Sequence, residues 1–192
     1  MKIKPVYQKI YQFAKPYLST RHNDVHTEMS MQFAYQLMSA EGGQESIVIP
    51  AIILHDVGWK KVPEELHLKA FGPKATMPEL NRVHEVEGVK IAKDILEKVN
   101  YDVEEMTQIL EIIGGHDSRK QSISLNDRIV KDADKLWRFS REGFDIDNER
   151  FGESYAVGLN RLRKYLPVWF FTSTARKLAR EELQKHERES AR

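Results

Sequence analysis

The chain has 192 residues, of which 41% are hydrophobic and 31% are charged, which is the size and composition of a single globular domain. Its 30 basic and 29 acidic side chains give a net charge of +1, which argues against extended nucleic acid or an anionic membrane as the main partner. The absence of cysteine excludes disulfides, zinc fingers, thiolate nucleophiles and iron–sulfur clusters, so any metal site must use histidine and carboxylate ligands.

Helical spacing of apolar residues begins close to the N-terminus. Residues 5–18 and 23–40 each predict an amphipathic helix, the first closed by Pro16 and the second capped by Asn23 or Asp24. Residues 46–57 include eight consecutive apolar or proline residues, a run that fits a buried strand or a buried helix. We predict a helix, because Pro50 is poorly tolerated in a central strand and acceptable near the first turn of a helix.

The N-terminus lacks the apolar segment and cleavage site of a signal peptide, and no apolar run is long enough to span a bilayer. We therefore expect a cytoplasmic protein with no membrane partner.

Residues 58–77 show no periodic pattern and predict a long loop. It could be a lid over a site, with Gly58 and Gly72 as hinges, or a plain surface loop. Thr76-x-x-Glu79 then resembles a capping box for a helix that would bury five apolar residues. These are Val83, Val86, Ala92, Ile95 and Leu96.

The second half of the chain is also helical in pattern. Asp102-x-x-Glu105 predicts the start of a helix that ends at Gly114-Gly115, and residues 125–139 predict another, with Trp137 on its apolar face. Further helices are expected near 148–165 and 173–188. Because no convincing pair of alternating strands is present, we predict an all-α fold and one domain over residues 1–192.

Histidine and aspartate recur on or at the ends of these predicted helices, at His26, His55-Asp56, His84, His116 and Asp134. The apolar run before His55-Asp56 implies burial, so that pair must be hydrogen-bonded or hold a metal. Taken alone, His55 and His84 also fit satisfied core histidines. The remaining histidines, His22, His67 and His186, are expected at the surface.

The order His26 … His55-Asp56 … Asp134 resembles the HD superfamily of metal-dependent phosphohydrolases. AIILHDVGW is similar to that family's buried helix ending in His-Asp and a glycine, and VKDADKLWRF is similar to its last motif. The resemblance implies a helical bundle over about residues 20–140, followed by additional C-terminal helices over about 141–192. It also implies that the metal ligands are His26, His55, Asp56 and Asp134. Helical geometry alone does not separate Asp134 from Asp132, and it is the family pattern that favours Asp134.

Some branches of this family have the order H…HD…H…H…D and hold two metals, and His84 and His116 fall at similar places. HEVEGVKIAKDIL is similar to the corresponding helix in two of those branches. The resemblance then implies a second metal, with Asp56 as the bridge. The alternative is one metal, with His84 and His116 donating hydrogen bonds to phosphate. Nitrogen and carboxylate ligands suit Mn²⁺, Fe, Co²⁺, Ni²⁺ or Zn²⁺, and Mg²⁺ less well.

The activity implied is hydrolysis of a phosphomonoester or phosphoanhydride in a small molecule, most naturally a nucleotide, by a metal-activated water. Asp117 or Glu85 could move the proton, or could be surface charges. The candidate phosphate contacts, each of which could instead be a solvated charge, are Lys60, Lys61, Arg119, Lys131 and Arg138. The alternatives are a di-iron oxygenase of the same superfamily and a non-catalytic nucleotide sensor.

Overall fold

The computed structural model describes residues 3–190, and over that range the chain forms ten α-helices and no β-strand. The helices are α1 (Pro5–Leu18), α2 (Asn23–Glu41), α3 (Glu45–Leu54), α4 (His67–Ala70), α5 (Leu80–Lys98), α6 (Val103–Ile113), α7 (Leu125–Leu136), α8 (Arg141–Phe151), α9 (Tyr155–Trp169) and α10 (Ser173–Ser190). Short 3₁₀ segments cover Val57–Lys61, Glu64–Leu66 and Trp137–Phe139. The all-α prediction is confirmed. Within residues 3–190, no helix combines the length and the apolar character needed to cross a membrane.

Helix α3 lies at the centre of the bundle, where α1, α2, α6 and α7 pack around it. Every residue from Ile47 to Leu54 is buried, so the helix needs no polar face. The prediction of a buried helix is confirmed, and Pro50 is accommodated inside it. His55 and Asp56 follow directly, which places both side chains in the interior.

Two details of the N-terminal helices were predicted wrongly. Helix α1 has the predicted range of 5–18, but Pro16 does not close it: this residue lies inside the last turn, where one missing N–H does not end a packed helix. Neither Asn23 nor Asp24 caps α2; the residue before the helix is His22, and no side chain caps it. The Asn23 side chain instead donates to the Asp56 carbonyl oxygen at 3.5 Å.

Helix α5 presents a different face to the core from the one predicted. It begins at Leu80 without a capping box, and Val83 and Val86 are 43% and 38% exposed. His84 and Glu85 are fully buried in their place. The predicted cap of α6 is confirmed, since the Asp102 side chain accepts from the N–H groups of Glu104 and Glu105.

The single helix predicted near 148–165 is wrong, because α8 and α9 are separated at Gly152. That residue has a left-handed backbone (φ 62°), and the Ser154 side chain caps α9 by accepting from the Val157 N–H. Helix α10 matches the prediction for 173–188. Apolar residues of the C-terminal helices, among them Phe144, Leu162 and Leu183, join the same hydrophobic core as α3. The single-domain organisation stays a prediction.

Candidate metal centre

Five elements bring four histidines and two aspartates to one buried position. The residues come from α2, the end of α3, α5, the turn after α6, and α7. Their relative exposures lie between 0% and 8%. They are His26, His55, Asp56, His84, His116 and Asp134, the same six residues that the sequence singled out.

Asp56 lies at the middle of this cluster, and its two carboxylate oxygens face different histidines. Oδ2 is 3.2 Å from Nδ1 of His26 and 3.8 Å from Nε2 of His55. Oδ1 is 3.7 Å from Nε2 of His84 and 3.6 Å from Nε2 of His116. The carboxylate therefore separates two sets of imidazole nitrogens.

Asp134 closes one of the two sides, with its Oδ1 3.0 Å from Nε2 of His26 and 3.5 Å from Nε2 of His55. On the other side, the Nε2 atoms of His84 and His116 are 3.2 Å apart. Three triplets of ligand atoms lie within 4.8 Å of one another, as a metal ion requires. They are His26–His55–Asp134, His55–Asp56–His116 and His84–His116–Asp117.

The orientation of the rings leaves nitrogen lone pairs at the centre of the cluster. Nδ1 of His55 is 2.8 Å from the Ile52 carbonyl oxygen, and Nδ1 of His116 is 2.8 Å from that of Ile113. Each Nδ1 must carry a proton to donate there, so in the neutral ring the lone pair is on Nε2. Nε2 of His26 and of His55 are buried, and among residues 3–190 neither makes a hydrogen bond of good geometry, although Oδ1 of Asp134 lies 3.0 and 3.5 Å away. Orphaned buried nitrogens beside carboxylates fit a divalent metal ion.

Two tryptophan side chains pack against the histidine–aspartate cluster. Trp59 stacks on the His84 ring at 4.1 Å, and its Nε1 donates to Oδ1 of Asp56 at 3.1 Å. Trp137 stacks on His26 at 4.6 Å. Both side chains are 1% exposed, so they exclude water and lower the local dielectric constant.

The segment 58–77 is less irregular than predicted, because it contains two 3₁₀ segments and the short helix α4, and its first glycine, Gly58, lies in a tight contact. A Cβ at Gly58 would lie 1.9 Å from the His84 carbonyl oxygen and 2.5 Å from the Gly88 nitrogen. The glycine is needed for this close approach of two backbones, which holds α5 against the 3₁₀ turn and directs His84 inward. Gly72 does have a left-handed backbone (φ 91°). With Phe71 and Pro73, it borders a cavity of about 180 Å³ that Asp117 and Asp134 also line.

Electrostatic coupling inside the cluster perturbs its ionisation. Burial alone would raise the pKa of Asp56 and of Asp134, but the neighbouring histidines hold both well below their usual range. Burial, in contrast, opposes protonation of His116, yet Asp117 and Asp56 raise its pKa to about 10. Burial and the nearby His116 lower the pKa of His84 to about 4. Protons thus balance part of the carboxylate charge where a metal cation would otherwise do so.

Of the candidate phosphate contacts, Arg138 reaches the cavity beside Asp117 and Asp134, and its Nη1 donates to Asp147 at 2.6 Å. Lys60 and Lys61 are exposed. Lys131 is not a solvated charge: it is 1% exposed, and its Nζ donates to the carbonyl oxygens of Gly115 and Arg119. Arg119 in turn donates to the Glu111 carbonyl oxygen at 3.2 Å. These last two side chains fix the turn that carries His116.

The two proton-transfer candidates differ in position. Oδ2 of Asp117 lies 3.6 Å from Nε2 of His84, and the residue is exposed at the edge of the cluster. Glu85 is fully buried and accepts from the backbone N–H groups of Asp117 and Ser118 at 3.0 and 2.8 Å. Glu85 is therefore not a surface charge, and its carboxylate holds the turn after His116.

Two histidines expected at the surface are buried. His67 is 4% exposed, with Nε2 2.9 Å from the Val62 carbonyl oxygen. His186 is 2% exposed, with Nε2 2.9 Å from the Phe139 carbonyl oxygen. The charged residues next to each histidine in the sequence suggested exposure, whereas each ring is buried against the carbonyl oxygen of a residue elsewhere in the chain. His22 is exposed, as predicted.

Sequence reasoning missed Arg21 and the role of Trp59. The guanidinium of Arg21 lies 4.0 Å from the centre of the Trp59 ring and 4.1 Å from that of Phe71. Trp59 was visible as the residue after the glycine of the His-Asp motif. No local pattern marked Arg21, whose partners lie about 40 and 50 residues further along the chain.

The fold and the site define an all-α protein with a buried histidine–aspartate centre. The HD domain family model matches residues 23–138, and the chain belongs to that family. No curated protein sequence matches the chain significantly. The fold is similar to a crystal structure described as a predicted HD superfamily hydrolase from an uncultured Thermotogales bacterium, with a TM-score of 0.63 and 20% sequence identity. That match covers 96% of this chain and 88% of the other, and at this identity it shows the fold alone.

Proposed function

We propose that the protein is a phosphohydrolase that depends on divalent metal ions and cleaves a phosphomonoester or phosphoanhydride in a small molecule such as a nucleotide. The observation that carries the proposal is the position of Asp56 between two sets of imidazole nitrogens, His26 and His55 on one side and His84 and His116 on the other. Membership of the HD domain family supports the same assignment.

We propose two metal ions, with Asp56 as the shared ligand. His26, His55 and Asp134 would complete one ion, and His84 and His116 the other. Asp117 lies beside the second pair, and we assign it to proton transfer instead of metal binding. Histidine and carboxylate ligands favour Mn²⁺, Fe, Co²⁺, Ni²⁺ or Zn²⁺ over Mg²⁺.

Bound divalent ions would supply Lewis-acid stabilisation of a phosphoryl oxygen and lower the pKa of a water molecule toward about 7. The chain supplies the surroundings. Trp59 and Trp137 exclude bulk water, while Ile52 and Ile113 fix two ligand rings through their carbonyl oxygens. Asp117, at the exposed edge, is placed to accept a proton at Oδ2, and Arg138 to bind a phosphate oxygen in the adjoining cavity.

The test is a comparison of wild type with Asp56→Ala and a matched surface control, Asp94→Ala. Protein purified without chelators is analysed for metal and assayed against a panel of nucleotides and simple phosphate esters with Mn²⁺, Co²⁺, Ni²⁺, Fe²⁺ and Mg²⁺. Wild type and Asp94→Ala should bind metal and release phosphate or pyrophosphate, and Asp56→Ala should do neither. Retained hydrolysis in Asp56→Ala refutes the proposal.

The two alternatives give different results in the same preparation. Substrate loss that requires O₂, measured by oxygen uptake of the iron-loaded protein, indicates a di-iron oxygenase. Nucleotide binding with no metal above trace amounts indicates a non-catalytic sensor.

A further inference from the structure

Arg21 is partly exposed as a residue, but residues 3–190 offer its guanidinium no anion in direct contact. Its guanidinium lies between the rings of Trp59 and Phe71, at 4.0 and 4.1 Å from their centres. Nε and Nη1 are buried without a hydrogen-bond partner in that part of the chain. A desolvated guanidinium with unused donors costs stability unless an anion binds it.

The neighbouring guanidinium groups add to this excess of positive charge. Arg138 and Arg150 also face the Phe71 ring, at 5.9 and 5.7 Å from its centre. Both donate to the same carboxylate, Asp147, at 2.6 and 3.0 Å. Three cations therefore surround Phe71, and two of them share the carboxylate of Asp147, which also lies 3.5 Å from Arg161.

This cluster adjoins the candidate metal centre. Trp59, which stacks under Arg21, donates to Asp56 and packs on His84. Arg138 lines the 180 Å³ cavity together with Asp117 and Asp134. Burial lowers the pKa of Arg21 to about 10, against the attraction of Asp56.

The backbone at Arg21 adopts an energetically unfavourable conformation. Arg21 and His22 both have left-handed conformations, with φ of 59° and 55°, which are uncommon for residues other than glycine. Nη2 of Arg150 donates to the Arg21 carbonyl oxygen at 2.6 Å and fixes the turn. Strain of this kind is commonly kept where a side chain must be positioned for function.

We propose that Arg21 and Arg138, which both lie against the Phe71 ring, form an anion subsite that binds a second phosphate group of a phosphoanhydride substrate beside the metal centre. The assignment rests on the proposed function for the identity of the reacting group. A guanidinium matches phosphate because its planar donors can bind two oxygens at once. Arg138 and Phe71 line the cavity, and Arg21 reaches it only past the Phe71 ring. The cavity is smaller than the roughly 300–1,000 Å³ of sites that enclose whole drug-sized ligands, so it suits a phosphate group.

The test measures binding of inorganic pyrophosphate in the presence of a chelator, by calorimetry and by thermal shift. Wild type is compared with Arg21→Gln and with Arg163→Gln, which removes an exposed arginine paired with Glu187. Arg21→Gln should weaken pyrophosphate binding by about tenfold or more, since charge-assisted hydrogen bonds are lost. Arg163→Gln should bind as wild type does. Equal affinity in wild type and Arg21→Gln overturns the subsite.

Measurements of thermal stability and a conservative variant distinguish loss of the anion subsite from a folding defect. Without pyrophosphate, Arg21→Gln should melt no lower than wild type, because it removes an unpaired buried charge. With pyrophosphate, wild type should gain stability and Arg21→Gln should gain less. Arg21→Lys keeps the charge without the planar donors and should bind with intermediate affinity; wild-type affinity in this variant also overturns the proposal.

The outcome is separable from the proposed function. Asp56→Ala lacks the central carboxylate of the metal centre but should bind pyrophosphate at least as tightly as wild type, because a neighbouring negative charge is gone. If pyrophosphate binding depends on Arg21 but the protein hydrolyses no phosphate compound, the subsite is supported and the proposed hydrolase activity is refuted. Hydrolysis with an unchanged preference between mono- and diphosphates in Arg21→Gln keeps the hydrolase and overturns the subsite.

Discussion

Asp132 and Asp134 lie two residues apart on α7, and their carboxylates serve opposite sides of the helix. Oδ1 of Asp134 lies 3.0 Å from Nε2 of His26, inside the histidine cluster. Asp132 accepts from the backbone N–H groups of Phe171 and Thr172, both at 2.8 Å, at the junction before α10. One turn of α7 therefore connects the candidate metal centre to the C-terminal helices.

This difference predicts separate effects for two substitutions of the same chemistry. Asp134→Ala should lose bound metal, because a ligand of the first site is removed. Asp132→Ala should keep its metal. Its free energy of unfolding should fall by about 1–3 kcal/mol, because the buried N–H groups of Phe171 and Thr172 lose their acceptor. Metal analysis and urea unfolding of both variants check this; loss of metal from Asp132→Ala with full occupancy in Asp134→Ala would reverse the assignment.

Replacement of His84 tests whether the protein binds a second metal ion. His84→Ala should lower the metal content from two ions toward one per chain, since the pair formed with His116 is broken while His26, His55 and Asp134 remain. The exposed His22 provides the control, and His22→Ala should keep both ions. Metal analysis after removal of free ions gives the ratio, and an identical ratio in the three proteins contradicts a two-metal site.

Asp147 should make the stability depend on pH at the acid end. Burial alone would raise its pKa, but Arg138, Arg150 and Arg161 hold the pKa below its usual value. The unfolded chain, with an Asp pKa of about 3.9, then binds the proton more readily than the folded chain does. The stability that Asp147 contributes is therefore complete above that unfolded value and is lost as pH falls through the lower folded value.

Replacement of Asp147 should show the same dependence. Asp147→Asn should destabilise the protein by about 3–5 kcal/mol near neutral pH, because the buried guanidinium groups lose their counter-charge. The difference from wild type should shrink as pH falls below about 4. The exposed pair Arg141–Asp145 offers the control Asp145→Asn, with an effect of about 0–1 kcal/mol. A constant difference for Asp147→Asn from pH 7 to pH 3 would show that the charge contributes nothing.

Two facing glycines should respond differently to alanine. Gly58→Ala would place a Cβ 1.9 Å from the His84 carbonyl oxygen, so α5 must shift, at a cost of about 1–3 kcal/mol or more and with weaker metal binding at His84. At Gly88 the nearest atoms to an added Cβ are 3.5 Å away, and alanine is the better helix former. Gly88→Ala should therefore be neutral or slightly stabilising in thermal unfolding, and equal losses in the two variants would contradict the close approach at Gly58.

The sequence by itself determined most of the helices and the identity of the cluster. The apolar run of α3, the cap at Asp102 and the stop at Gly114-Gly115 act over a few residues, so local pattern is enough to read them. The order of histidines and aspartates, with the family resemblance, picked out the six residues that meet at the centre.

Only the tertiary structure decided how those residues face one another and what surrounds them. The orientation of α5 depends on the contact of Gly58 with Gly88, and the burial of His186 depends on the carbonyl of Phe139, 47 residues earlier. The environment of Arg21 is set by aromatic rings that reach it from elsewhere in the chain. A polar side chain satisfies its donors and charge through whichever partners the fold brings near, and local periodicity carries no record of those partners.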